Sequence, residues 1–224
     1  MVLICAATAG ELTACPDHFL PDAERRVTGV GIPATFEAFF HDLTGTGGSG
    51  RLTGIVNIGI AGAYPETELR IGDIVVADGD TYGDIGMELP DEAGGVGGFL
   101  PVADTPFGRE FYSHPLPCRV PDALAARVGP GGAGRGFAVR TGRGCTVNAC
   151  TGTETVGRRR AAQTGAIFET MEGAAVCQIG RAGNAPVCQI RAISNIAARR
   201  EMRPENIRLA LANLHVFLSG IEEL

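Results

Sequence analysis

The stretch "AIFETMEGAAVCQIGRAGNAPVCQIRAISN", residues 166–195, decides the fold class. Residues 166–183 begin as a short strand and become a helix. "APVCQIRAIS" (185–194) then reads as a second, nearly continuous apolar strand, which ends on Arg191, Ser194 and Asn195. Apolar strands without alternation, bounded by helices, imply a mostly parallel sheet buried on both faces.

Working outward, the same pattern recurs. "VLICAA" (2–7), "TGIVNIGIAGA" (53–63), "GDIVVAD" (72–78) and "GFAVRTGRGCTV" (136–147) read as strands. "PATFEAFFHDL" (33–43) has helical spacing with Pro near its start, and "TETVGRRRAAQTG" (153–165) is a helix closed by Gly. "PENIRLALANLHVFLSG" (204–220) is amphipathic, with Pro at its start and Gly at its end. Residues 83–106, rich in Gly, Pro and acidic residues, read as a long loop, and "GPGGAGRG" (129–136) as a flexible link. The expected architecture is α/β: a mixed, largely parallel central sheet flanked by helices on both faces, in a single domain over 1–224.

Composition excludes several classes. The net charge of −6 argues against a nucleic-acid binder, which needs a basic face. The Arg-dense "GRRRAA" (157–162) and "AARRE" (197–201) read as solvated faces. The 7 Cys are odd in number, form no CxxC pair and lie mostly in apolar runs, so reduced thiols are expected. The 4 His are scattered, and no metal site or cofactor is expected. The apolar start "MVLICAATAGEL" is too short to span a bilayer and lacks a basic region, so it reads as a first strand. The cytoplasm, with no membrane partner, is the expected location.

In such sheets ligands collect at the carboxyl ends of strands. Those positions hold Glu11, the "GIAGA" turn, "ETMEGAA" and Ser194–Asn195. There is no G-x-S-x-G elbow or P-loop, and "NIGIAGA" lacks GxGxxG spacing. Each residue has a local explanation. Glu11 suits a helix N-terminus, Glu172 a helix cap, the Gly turn tight geometry, and Asn195 a turn.

Taken together, "AATAGE", "NIGIAGA…IGDIVVAD", "TMEGAAV" and "RAISN" resemble the purine nucleoside phosphorylase and nucleosidase superfamily, over roughly residues 2–219. The resemblance implies cleavage of a purine N-glycosidic bond. It implies that Met171 and Glu172 hold the ribose, that Glu11 activates water, and that Ala61 and Gly62 line the ribose and base. Asn195 would bind the base and assist its departure, with Arg191 and Ser194 orienting it. Val147 and Asn148 are the nearest candidates for base contact within 145–151. The phosphorylases' Gly-Asp-Pro-x-Arg loop is replaced here by "AATAGELTA", which favours water as nucleophile. An Asn amide offers a donor to the O6 and N7 acceptors of a 6-oxopurine, whereas the adenine-cleaving enzymes carry Asp.

Within that superfamily the pattern "VNACTGTE…ETMEGAAV…RAISN" resembles the futalosine hydrolases more closely than the adenine enzymes. The implied substrate is an inosine bearing a carboxyphenyl ketone through its 5′ carbon, with Arg199, Arg200 or Arg203 as candidate partners of the carboxylate. A homodimer is implied. The rival readings are a methylthioadenosine/adenosylhomocysteine-type nucleosidase, a 6-oxopurine nucleoside phosphorylase, and a non-catalytic nucleoside-binding protein.

Overall fold

The structure, a computed structural model, describes residues 1–46, 51–93, 96–105, 108, 115–126, 136–199 and 201–221. The elements run β1 (Val2–Ala6), α1 (Ala9–Leu12), β2 (Glu24–Val27), α2 (Ile32–Ala38), α3 (Phe40–Thr44), β3 (Gly54–Ala63) and β4 (Ile74–Tyr82). They continue with β5 (Gly86–Pro90), β6 (Val96–Pro101), a 3-10 turn (Val102–Asp104), β7 (Leu116–Pro117), α4 (Asp122–Ala125) and β8 (Val139–Thr146). The last are α5 (Glu154–Thr164), β9 (Phe168–Thr170), α6 (Gly173–Gly183), β10 (Val187–Ile196) and α7 (Pro204–Ser219).

The main sheet is mixed and largely parallel. The order β10-β4-β8-β9-β3-β1-β2 is supplemented by a β10–β3 pairing, so five of these strands close on themselves. The length of β3 makes this possible. One edge pairs with β10 along its whole course, while the other pairs first with β1 and then, at Gly62 and Ala63, with β9. β9 and β4 run antiparallel to β3 and β10 respectively; β1–β2, β1–β3, β3–β10, β4–β8 and β8–β9 are parallel.

Both faces of the sheet are covered, as unalternating apolar strands require. Alternate residues of β1 feed different cores. Ile4 and Ala6 join Ile58, Ile190 and the α7 residues Ala210, Leu214, Phe217 and Leu218, while Leu3 and Cys5 join Ile55 and the α6 residues Val176 and Ile179. The α7 positions follow the 3–4 spacing of one helical face. Among the described residues no helix is long and apolar enough to cross a membrane, and no group of acidic, His or Cys side chains is suited to a metal ion.

Two local expectations need correction. Residues 33–43 form two helices, α2 and α3, broken at Phe39 (φ −103°, ψ 5°), whose ring is fully buried. Part of the loop expected over 83–106 is the antiparallel hairpin β5–β6. Every residue of β5 is exposed, and its short Met87–Leu89 alternation sits between Gly and Pro residues that read as turn signals. Most of the expected link at 129–136 lies outside the described residues. None of the seven cysteines is in a disulfide.

Candidate active site

A cavity of about 370 Å³ opens at the carboxyl ends of β1, β3, β9 and β10. One end holds two carboxylates. β1 runs through Ala7 to Thr8, the N-cap of α1, and "TAGE" forms a capping box. The Thr8 backbone N–H and hydroxyl donate to Glu11 Oε2 at 3.0 and 2.8 Å, and the Ile60 N–H donates to Oε1 at 2.9 Å. Glu11 is 7% exposed and lines the cavity, so capping the helix and facing the ligand are one placement.

Glu172 sits at the backbone N-cap of α6, but its side chain caps nothing. It instead accepts from the Gly31 N–H at 2.8 Å. Burial pushes the Glu172 carboxyl above its ordinary value. The Arg191 charge and the Gly31 N–H oppose the shift, and the neighbouring Glu11 adds to it. The two carboxylates therefore share one electrostatic site.

Arg191 is fully buried behind them. It donates from Nη2 to Gln189 Oε1 at 3.0 Å and from Nη1 to Ile58 O at 3.4 Å. The expectation that it orients Asn195 is corrected: its guanidinium faces the carboxylate end. Gly59 separates it from Glu11, and a Cβ there would lie 2.6 Å from both Arg191 Nη1 and Glu11 Oε1. Glycine is required at this position by space.

The other end is built on the last turn of β10, where a register shift between Ile193 and Asn195 re-aims the strand. Ser194 Oγ lies 3.0 Å from Asn195 Oδ1 and 3.3 Å from Ala61 O. The one hydroxyl proton is shared between these two acceptors, the nearer being Oδ1, and with Oδ1 turned toward Ser194 the Nδ2 group faces away from it. Gly62 leaves the room, since a Cβ there would stand 3.1 Å from Nδ2. Ala61, Gly62, Met171, Ser194 and Asn195 all line the cavity together with the two glutamates.

Val147 and Asn148 do not line it. Val147 is fully buried against Tyr64, Cys145, Ala166 and Ala197, and Asn148 is exposed with its N–H donated to Asp84. Cys150 and Thr151 reach the cavity from that segment instead. The sequence offered no way to register them, because their position depends on how the chain leaves β8. Sequence reading also passed over Glu169, which lines the cavity, and Thr8, although T-x-x-E is legible as a capping box. Val30, Met202, Ile207 and Leu211 give the open end an apolar wall. Arg199 and Arg203 are exposed and do not line it; Arg203 pairs with Glu201 at 2.7 Å, and Arg200 lies outside the described residues. Among the described lining residues there is no Lys, Arg or His.

A family model described as the phosphorylase superfamily matches residues 30–221. A futalosine hydrolase of Streptomyces coelicolor (strain ATCC BAA-471 / A3(2) / M145) is 35% identical over 160 residues, 71% of this chain. The match spans 61% of that relative's own length. A futalosine hydrolase mutant of Helicobacter pylori strain 26695 superposes with a TM-score of 0.73 at 16% identity, covering 98% of this chain and 97% of that one. A 5′-methylthioadenosine/S-adenosylhomocysteine nucleosidase of S. pneumoniae, solved with a transition-state inhibitor, gives 0.71 at 19% identity, covering 99% and 98%. At such identities the structural likeness carries the fold, and the family match, running from the strand-end loop at Val30 through α7, spans most of the elements that enclose the cavity: this chain belongs to the phosphorylase superfamily.

Proposed function

We propose that this chain hydrolyses the N-glycosidic bond of futalosine, releasing hypoxanthine and dehypoxanthine futalosine for menaquinone biosynthesis. The observation that carries the reading is the polarity of the cavity. The carboxylates of Glu11 and Glu172 stand at one end, and at the other the outward-facing amide of Asn195 lies across Gly62 from Glu169, whose charge is paired with Arg160. Cleavage of this bond develops positive charge on the sugar and negative charge on the purine. Glu172 stabilises the first by its charge, and the Asn195 Nδ2 donor stabilises the second at O6 or N7. Glu11, held by three donors, takes the proton from the attacking water.

Water is the favoured nucleophile because the described lining offers no cation to a phosphate and two carboxylates repel it. Asn195 favours a 6-oxopurine because its oxygen is engaged by Ser194, leaving a donor for O6. The apolar wall of Val30, Met202, Ile207 and Leu211 suits an aryl group on the 5′ carbon. The likeness to the Streptomyces coelicolor enzyme supports the same substrate. We place the activity in the cytoplasm and the working unit as a homodimer.

The test is a base-release assay on futalosine, inosine and methylthioadenosine, each with and without phosphate. Hypoxanthine from futalosine without phosphate is the expected result. Adenine release from methylthioadenosine at a higher rate, or strict dependence on phosphate, overturns the proposal.

A further inference from the structure

A buried polar chain leads from β4 to the carboxylates and has no part in the mechanism above. Its members are Asp80 on β4, Asn57 on β3 and Gln189 on β10, all buried. Gln189 Nε2 donates to Asp80 Oδ2 at 2.8 Å. Gln189 Oε1 accepts from Arg191 Nη2 at 3.0 Å and from Asn57 Nδ2 at 3.2 Å. Asp80 Oδ1 accepts from Thr146 Oγ1 at 2.9 Å and from the Thr81 N–H at 2.7 Å. An ionised carboxylate only accepts, so the Gln189 N–H₂ faces Asp80 and the Gln189 oxygen is left for Arg191.

Arg191 depends on that oxygen. Its Nε is buried with no hydrogen-bond partner among the described residues. Its other bond, from Nη1 to Ile58 O, is long at 3.4 Å. The guanidinium reaches the active site across Gly59, its register partner on β3, where a Cβ would lie 2.6 Å from both Arg191 Nη1 and Glu11 Oε1. Its charge also opposes the effect of burial on Glu172. A displaced guanidinium would leave Glu11 and Glu172 less compensated, in a buried setting where like charges repel strongly.

We propose that Gln189, pinned by Asp80, is a positioning residue that holds the Arg191 guanidinium against Glu11 and Glu172. Neither Gln189 nor Asp80 lines the cavity, so both act through Arg191. The proposal rests on the roles given to Glu11 and Glu172 and adds what keeps their counter-charge in place. The pair also has an exchanged form that satisfies the same partners. In Asp80→Asn/Gln189→Glu the new amide keeps Thr146 and Thr81 on its oxygen and donates to the new carboxylate, which still accepts from Arg191 and Asn57. The net charge is unchanged and each side chain keeps its shape.

The experiment measures kcat and KM for base release by the full-length protein, by Gln189→Met and by the exchanged pair. The substrate is whichever of futalosine, inosine and methylthioadenosine the unaltered protein cleaves. Gln189→Met keeps the length of the side chain and removes the acceptor of Arg191. It is expected to lower kcat by about tenfold, the scale of a lost hydrogen bond to a charged group. KM is expected to stay within about twofold, because no group that binds substrate has been removed. The exchanged pair is expected to return kcat to within about threefold of the parent value. A folded Gln189→Met with the parent kcat overturns the proposal, and so does a loss of kcat matched by a rise in KM, which marks a general loosening of the site. A folded exchanged pair no faster than Gln189→Met overturns it as well. Where Gln189→Met does not fold, Gln189→Asn takes its place, since it draws the amide back by one methylene, and an unchanged kcat there is equally fatal. Cleavage of a nucleoside other than futalosine sinks the substrate reading and leaves Gln189 to be decided on that nucleoside; cleavage of none overturns both.

Discussion

Glu172 is held by a backbone N–H that an amide oxygen would also satisfy, whereas Glu11 takes N–H donors on both of its oxygens, so Glu11→Gln sets its NH₂ against one of them. Glu11→Gln is expected to lower kcat by about 10²- to 10⁴-fold, the usual worth of a general base. Glu172→Gln is expected to lower it by about 10²- to 10³-fold, as for loss of an electrostatic stabiliser. Thermal unfolding of Glu172→Gln should stay near that of the parent protein, because a buried carboxylate replaced by an amide no longer has to be desolvated as an ion, while Glu11→Gln should cost about 1–3 kcal/mol for the donor left facing its NH₂. A folded variant with full turnover would remove the role assigned to that residue. The Glu172 carboxyl lies above its ordinary value through burial, and only its ionised form stabilises a cationic sugar. The acidic limb of kcat against pH should therefore fall above the usual carboxylate range, and Glu172→Gln should lack that limb. These residues were legible in the sequence because each closes an apolar strand. Glu169 was not, because its neighbours in "FETMEG" gave it the look of one more strand residue.

At the level of elements, the N-terminus of α6 is seated on a buried polar cluster. Asp80 of β4 accepts from Gln189 Nε2 of β10 at 2.8 Å, Thr146 Oγ1 of β8 at 2.9 Å and the Thr81 N–H at 2.7 Å. Thr146 Oγ1 also accepts the Ala174 N–H of α6 at 2.7 Å, and Gly173 packs so closely that a Cβ would strike Asp80 and Gln189. Burial lifts the Asp80 carboxyl from 3.8 to about 6, against the opposing donors and the Arg191 charge. A carboxyl whose folded value is raised holds its proton longer in the folded state. Its stabilising contribution is complete below about pH 4 and is lost as the pH rises through about 6. Asp80→Asn should flatten the slope of urea-unfolding stability between pH 4 and 6. It should also cost about 1–3 kcal/mol, because its amide N–H₂ meets the Gln189 donor. Slopes that run parallel in the two proteins would show that Asp80 does not titrate in this window. Helix and strand identities here were readable from periodicity. The cluster was not, because Asp80, Thr146 and Gln189 come from three separated strands.

For the whole molecule, the cavity's apolar rim is the notable surface. Val30 is 56% and Met202 41% exposed, although both line the cavity. In the proposed homodimer a second copy shields such side chains from water. Sedimentation equilibrium is expected to give twice the 23.2 kDa chain mass, and Val30→Asp to weaken association and raise KM for futalosine together. A monomer with full activity on futalosine would overturn this assembly.

The sequence alone determined the α/β class, the strand-end placement of Glu11, Gly62, Glu172 and Asn195, and the helix boundaries at Gly165 and Pro204. These follow from local chemistry: apolar runs must be buried, and caps and turns demand particular residues. The tertiary structure decided the rest. β3 is long enough to pair with β1, β9 and β10, and this closure sets Glu169 and Asn195 on either side of Gly62. It turns Arg191 toward the carboxylates, excludes Val147 and Asn148 from the cavity and admits Thr151. Strand pairing between distant segments has no signature in either partner's own residues, so only the folded chain shows which side chains share the site.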